Sequence, residues 1–152
     1  MRDFLQRVVV GFSCLWLFMG SAFAFVLVTE EEVRKYKGDE AALLIPLAAS
    51  PGVTPGIEVV NPRIMAGPVP SPVSIELSFR TDGTPVDMKS FQALYGGFKF
   101  DITDRILKKA RVTATGLTIE NAEIPKGTHR LFLAISDVKG RRTDRELRIQ
   151  VQ

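Results

Sequence analysis

The chain has 152 residues, 45% of them hydrophobic and 24% charged, with 20 Lys and Arg against 17 Asp and Glu. That length makes one ordinary domain and falls short of two. A formal charge of +3 is too near balance to point to a nucleic-acid partner, and one cysteine cannot build a disulfide framework.

The first 24 residues have the three-part layout of a secretory leader. Arg2 and Arg7 form a basic start, the run from Val8 to Gly20 is uncharged, and Ala22 and Ala24 are the small residues before a cut. The reading predicts cleavage after Ala24 and a periplasmic or secreted protein beginning at Phe25. The alternative is an uncleaved membrane anchor, because Val8 to Val28 is a stretch of 21 uncharged residues. Cys14 lies inside the leader, so the exported chain would carry no cysteine and no disulfide. Without Arg2, Asp3 and Arg7, 18 basic residues face 16 acidic ones, and 12 of the 18 lie between Lys99 and Arg148.

After the leader, Thr29 and Glu32 have capping-box spacing, and Val28 and Val33 have the spacing of a hydrophobic staple. Glu30, Glu31 and Glu32 followed by Arg34, Lys35 and Lys37 match the helix dipole, and Gly38 closes the end. A short helix is predicted here. Whether it docks on anything is not legible locally. An apolar patch from Ala41 to Ala49 follows, broken by Pro46. Seven of the nine prolines fall between Pro46 and Pro72. Proline fixes φ and removes a ladder donor, so this is read as extended linker with at most an edge strand at Ile57–Val60. The predicted organisation is leader 1–24, helix and linker 25–55, and a β domain 56–152.

From Val73 the period is two. Val73, Ile75, Leu77 and Phe79 alternate with Ser74, Glu76, Ser78 and Arg80, as a half-buried antiparallel strand requires. A turn at Thr81–Pro85 centres on Asp82-Gly83. Short strands are predicted at Phe91–Tyr95 and Phe98–Ile102 around Gly96-Gly97. Asp101–Ala110 fits either a turn or two of helix capped by Thr103 or a connection between sheets. Val112–Ala114 and Leu117–Ala122 flank Gly116 as further strands, and Pro125-Lys126-Gly127 turns the chain. Leu131, Leu133 and Ile135 share one face of the next strand; Leu147, Ile149 and Val151 share one face of the last. About seven short strands between regular turns, with no long amphipathic helix among them, predict an all-β antiparallel sandwich.

The C-terminal residues Ile124-Pro125-Lys126-Gly127, Leu131, Leu133, Ile135, Asp137 and Gly140, with the strand ending at Val151, resemble the closing hairpin of bacterial immunoglobulin-like domains. Ser71 to Asp87 is similar to the second strand and following turn of such modules. The resemblance spans about 57–152 and implies an Ig-like β-sandwich. Two departures stand out. His129 occupies the position often aromatic after the Pro-x-Gly turn, so the tyrosine-corner hydrogen bond is either made by imidazole or missing. No cysteine pair crosses the sheets.

Catalysis finds little material. His129 is the only histidine, the exported chain has no cysteine, and no Gly-x-Ser-x-Gly elbow occurs. A copper site would need clustered His and Met ligands, and beyond the leader only Met65 and Met88 accompany His129. Asp101 with Asp104, and Asp82 with Asp87, lack the dense spacing of a calcium loop. No cofactor is expected. Two basic clusters remain: Lys108, Lys109 and Arg111, and Lys139, Arg141 and Arg142. The second falls on a hairpin tip. Loop-borne cations of this kind suit an acidic protein or an anionic envelope component, against the plainer reading of solubility and edge protection. The expectation is therefore a non-enzymatic, exported binding module. The alternatives are a small metal- or ligand-carrying sandwich and a structural accessory held by an uncleaved leader.

Overall fold

A computed structural model of the chain describes residues 25–36, 55–63 and 67–152. The expected leader with its cysteine, Lys37 and Gly38 at the expected helix end, the apolar patch 41–49 and the first part of the proline-rich stretch lie outside the described residues. Within them the chain is mostly β, in two sheets.

The first sheet contains β2 (Gly56–Asn61), β3 (Val73–Arg80), β6 (Arg111–Thr113) and β7 (Gly116–Glu123). Its order is β2-β3-β7, and β6 pairs on the far side of β7. The second contains β4 (Val86–Tyr95), β5 (Phe100–Asp101), β8 (Gly127–Asp137) and β9 (Arg142–Val151), in the order β5-β4-β8-β9. The pairings named so far are antiparallel. Alternation in the sequence becomes burial in β3, where Val73, Ile75, Leu77 and Phe79 are buried and Ser74, Glu76 and Arg80 exposed. Leu131, Leu133 and Ile135 of β8, with Leu147, Ile149 and Val151 of β9, complete the opposite wall. Phe79 and Phe91 meet across the interior with ring centroids 6.3 Å apart. Burying rows of this kind is the main stabilising term of a cysteine-free domain.

Local details follow from identifiable chemistry. The β4–β8 ladder breaks between Asp87 and Gln92. There the Ser90 hydroxyl accepts from the Ser136 N–H at 2.7 Å and donates to the Asp87 carbonyl at 2.6 Å, replacing the lost backbone pairing. Gly116, at the start of β7, has no room for a side chain: an added Cβ would lie 2.4 Å from the Leu77 carbonyl oxygen. Gly140 closes the β8–β9 turn at φ 80°, a conformation that L side chains rarely adopt.

Three expectations change. The strand expected at Phe98–Ile102 shrinks to the two residues of β5, because Gly96 and Lys99 take positive φ and the Lys99 N–H closes a turn on Gly96. The open reading of 101–110 resolves as helix α2 (Thr103–Leu107). Thr103 does not cap it; Ile102 holds that position, and the Thr103 hydroxyl instead accepts from the Ala93 N–H at 2.9 Å. The Asp101 carboxylate accepts the Thr103 N–H at 2.8 Å in its place.

The N-terminal element docks, which the sequence leaves open. Phe25–Val26 form β1, a two-residue strand parallel to β7, and the next residues, Leu27 and Val28, are buried in the common core. Helix α1 (Glu30–Tyr36) starts at the expected capping box: the Thr29 N–H donates to Glu32 at 2.9 Å and the Glu32 N–H donates to the Thr29 hydroxyl at 3.2 Å. The last four residues of the uncharged run Val8–Val28 are therefore part of the folded body. Among the described residues no helix is long and apolar enough to cross a membrane.

Candidate functional site

The sandwich has two unlike ends. One gathers the β3–β4, β6–β7 and β8–β9 turns and is called the hairpin end. The other gathers β1, both helices and the turns at 96–99 and 124–126, and is called the helical end.

At the helical end His129 is buried in β8, with 2% of its surface exposed. Its Nε2 lies 2.7 Å from the Pro125 carbonyl oxygen and its Nδ1 lies 2.9 Å from the Tyr95 hydroxyl. A carbonyl only accepts, so Nε2 carries the proton and Nδ1 accepts from the phenol. Burial pushes the Tyr95 phenol up to about 12, with the Glu32 carboxylate adding to the shift. Both ring nitrogens are engaged in bonds within the fold. This histidine joins the 124–126 turn to the interior of β4.

Arg105 of α2 locks the N-terminal element in place. Its guanidinium donates to both Glu32 oxygens, at 2.7 and 2.8 Å, and to the Leu27 carbonyl at 2.8 Å. The bond from Arg105 holds the Glu32 carboxyl down to about 2, against a smaller opposing effect of burial. Tyr36 stacks on Phe100 with centroids 4.4 Å apart, which closes the contact. Residues 73 positions apart make this bridge, so no local signal reveals it.

At the hairpin end Arg141 is a clamp. It donates to Asp137 at 2.6 Å within its own turn and to both Asp82 oxygens, at 2.7 and 3.0 Å, across the β3–β4 turn. Burial would raise the Asp137 carboxyl, but the N–H groups of Arg141 and Lys139 and the Arg141 guanidinium outweigh it and hold it low. Arg142 reaches Asp144 and Gln92 on the outer face of the second sheet.

The two predicted basic clusters are therefore not brought together. Lys108 and Lys109 follow α2 at the helical end, and Arg111 opens β6; all three are exposed. Lys139, Arg141 and Arg142 start from the hairpin end; Asp137 to Leu131 of β8, which pair with the two limits of β4, separate the ends by roughly 20 Å at the rise of a strand, and only the Arg142 guanidinium reaches back, to Gln92. Lys108, Lys109, Arg111 and Lys139 form no ion pair among the described residues, whereas Arg141 and Arg142 do. Asp82 is engaged by Arg141, and Asp87 accepts the Lys89 N–H. Among the described residues no three His, Cys, Asp or Glu side chains converge as metal ligands would.

Cavities concentrate at the helical end. One of about 630 Å3 is lined by Phe25, Asp101, Asp104, Lys108 and Lys109; another of about 460 Å3 lies on the other side of Val26, against Glu30, Glu123 and Pro125. Sequence reasoning missed both, since they exist only where β1 lies beside β7. No family model, curated protein or solved structure matches the chain.

Proposed function

We propose that this chain is an exported, non-enzymatic immunoglobulin-like β-sandwich that binds an acidic protein or anionic envelope component through exposed loop cations. The observation that carries the reading is the strand order. Lettered in chain order from β2, the sheets run A-B-E-D and C′-C-F-G, the arrangement of immunoglobulin-type sandwiches. The His129 bond to Pro125 supports it further: at the start of the sixth main strand, an imidazole takes the role of the tyrosine corner, reaching back to backbone four residues upstream. In such sandwiches connecting loops carry recognition while the sheets supply a rigid frame. The binding cations assigned here are Lys108, Lys109 and Arg111 beside α2, and Lys139 and Arg142 at the hairpin end, with Arg141 holding the hairpin that displays them.

The test is association of the purified protein with envelope fractions from expressing cells. Replacing Lys108, Lys109 and Arg111 by Ser, and separately Lys139 and Arg142 by Ser, is expected to weaken it in at least one variant, most strongly at low salt. Unchanged association in both overturns the binding role. N-terminal sequencing checks export separately, with Phe25 expected as the first residue.

A further inference from the structure

We propose that a third cavity, of about 260 Å3 beside the last residues of β9, binds the oxyanion of a phosphate ester between Arg63 and Arg148. This inference is independent of the immunoglobulin-like reading and uses none of the cations assigned above.

Arg63 and Arg148 line the cavity with Thr128, Gln150, Ile149 and Val69. The lining residues carry two guanidinium groups, a hydroxyl and a side-chain amide, all capable of donating, and no carboxylate lines the cavity among the described residues. Three terminal oxygens of a phosphate ester can use such a set, whereas a carboxylate offers two. Guanidinium groups match phosphate oxygens in paired fashion, which a lysine cannot do.

The wall is built rather than incidental. Val69 joins the edge of β9 in parallel, donating its N–H to Gln150 at 2.8 Å and accepting from the Gln152 N–H at 3.1 Å. Arg148 is aimed by Glu146, whose oxygen sits 2.6 Å from its Nε; the same carboxylate holds the buried Arg130, which lies over the Phe132 ring. Bonding at Nε restrains the plane of the Arg148 guanidinium, and the side chain as a whole is half exposed. Arg63, which is exposed and also lines the cavity, makes no ion pair among the described residues. A volume below that of ordinary small-molecule pockets suits a head group and not an extended ligand.

Two sources offer this chemistry, a free phosphate ester and a phospholipid head group. The probes are glycerol 3-phosphate, followed by calorimetry, and vesicles of phosphatidylglycerol against phosphatidylcholine, followed by co-sedimentation. Saturable binding is expected to at least one probe, weakened about three- to fivefold by Arg63→Gln and again by Arg148→Gln. Replacing Lys89, an exposed cation of β4 that does not line the cavity, by Ser should leave it unchanged. Arg63 has no structural partner among the described residues, so its variant reports on the site even if Arg148→Gln disturbs Glu146. Binding of glycerol 3-phosphate assigns a free ester; binding of the anionic vesicles alone assigns a lipid head group. Binding to neither probe, or equal binding by Arg63→Gln and the parent protein, overturns the proposal.

Discussion

The helical and hairpin ends of the sandwich are held by opposite chemistry. At the helical end the joints are buried or partly buried: His129 between Tyr95 and Pro125, Arg105 across Glu32 and Leu27, and Tyr36 on Phe100. At the hairpin end the joint between turns is Arg141 on Asp82, both side chains about 40% exposed. A buried polar group left without its partner costs its full desolvation, while an exposed pair is largely matched by water and screened by salt. The lesson is that the helical end shields most of its polar joints from water, whereas the contact between two hairpin-end turns is an exposed pair anchored on the buried Asp137. Loops aligned by weak, solvated contacts tolerate change, which suits a surface that meets partners.

The sharpest way to break this comparison is at His129. Phe in its place removes the bonds to Pro125 and Tyr95 and strands both groups in the interior, so a loss of about 2–4 kcal/mol in urea unfolding is expected. Adding Tyr95→Phe should cost less than the sum of the single changes, since it removes one of the stranded groups. A His129→Phe protein as stable as its parent would erase the distinction between the ends.

Gly116→Ala comes next. The new Cβ would meet the Leu77 carbonyl, so β7 must shift from β3, at a cost of about 1–3 kcal/mol in the same measurement.

The third effect is a pH dependence at the helical end. Glu32 titrates at about 2 in the folded chain against an ordinary value of 4.5. Its contribution is therefore fully present above pH 4.5 and is lost as pH falls from 4.5 toward 2. After allowance for partial exposure, this amounts to on the order of 1–2 kcal/mol. Arg105→Met should lower stability at neutral pH and flatten the acid limb of the stability curve, as read from unfolding midpoints between pH 5 and about 2.5. An acid limb unchanged in that variant would assign the effect elsewhere.

The smallest effect belongs to the hairpin end. Asp82→Asn should lower the melting temperature slightly in dilute buffer, and the difference should vanish in molar salt. A large or salt-independent drop would show that the two ends are held alike.

Legibility in the sequence followed the range of each interaction. The capping box at Thr29 and Glu32 spans three residues and was readable to the atom. Alternation in β3 and β9 announced both the strands and their buried faces. A two-residue parallel strand such as β1 has no period to detect, so Phe25–Val26 read only as the approach to a helix. Arg141 read as a cation on display although Asp137 lies four residues before it; its second acidic partner, Asp82, lies 59 positions earlier, in a different turn. Arg63 and Arg148 are separated by most of the domain, and nothing near either suggests that they line one cavity.

By itself the sequence determined the sheet-forming alternation, the turns marked by Asp82-Gly83 and Gly140, and the start of α1, because each is enforced within a few bonds of the residues concerned. Only the tertiary structure decided that residues 25–36 join the core, that His129 bonds the Pro125 carbonyl, and which cations hold turns together and which stay exposed. Those outcomes depend on which distant groups arrive at hydrogen-bonding distance once two sheets close over a shared interior, and local pattern carries no record of that distance.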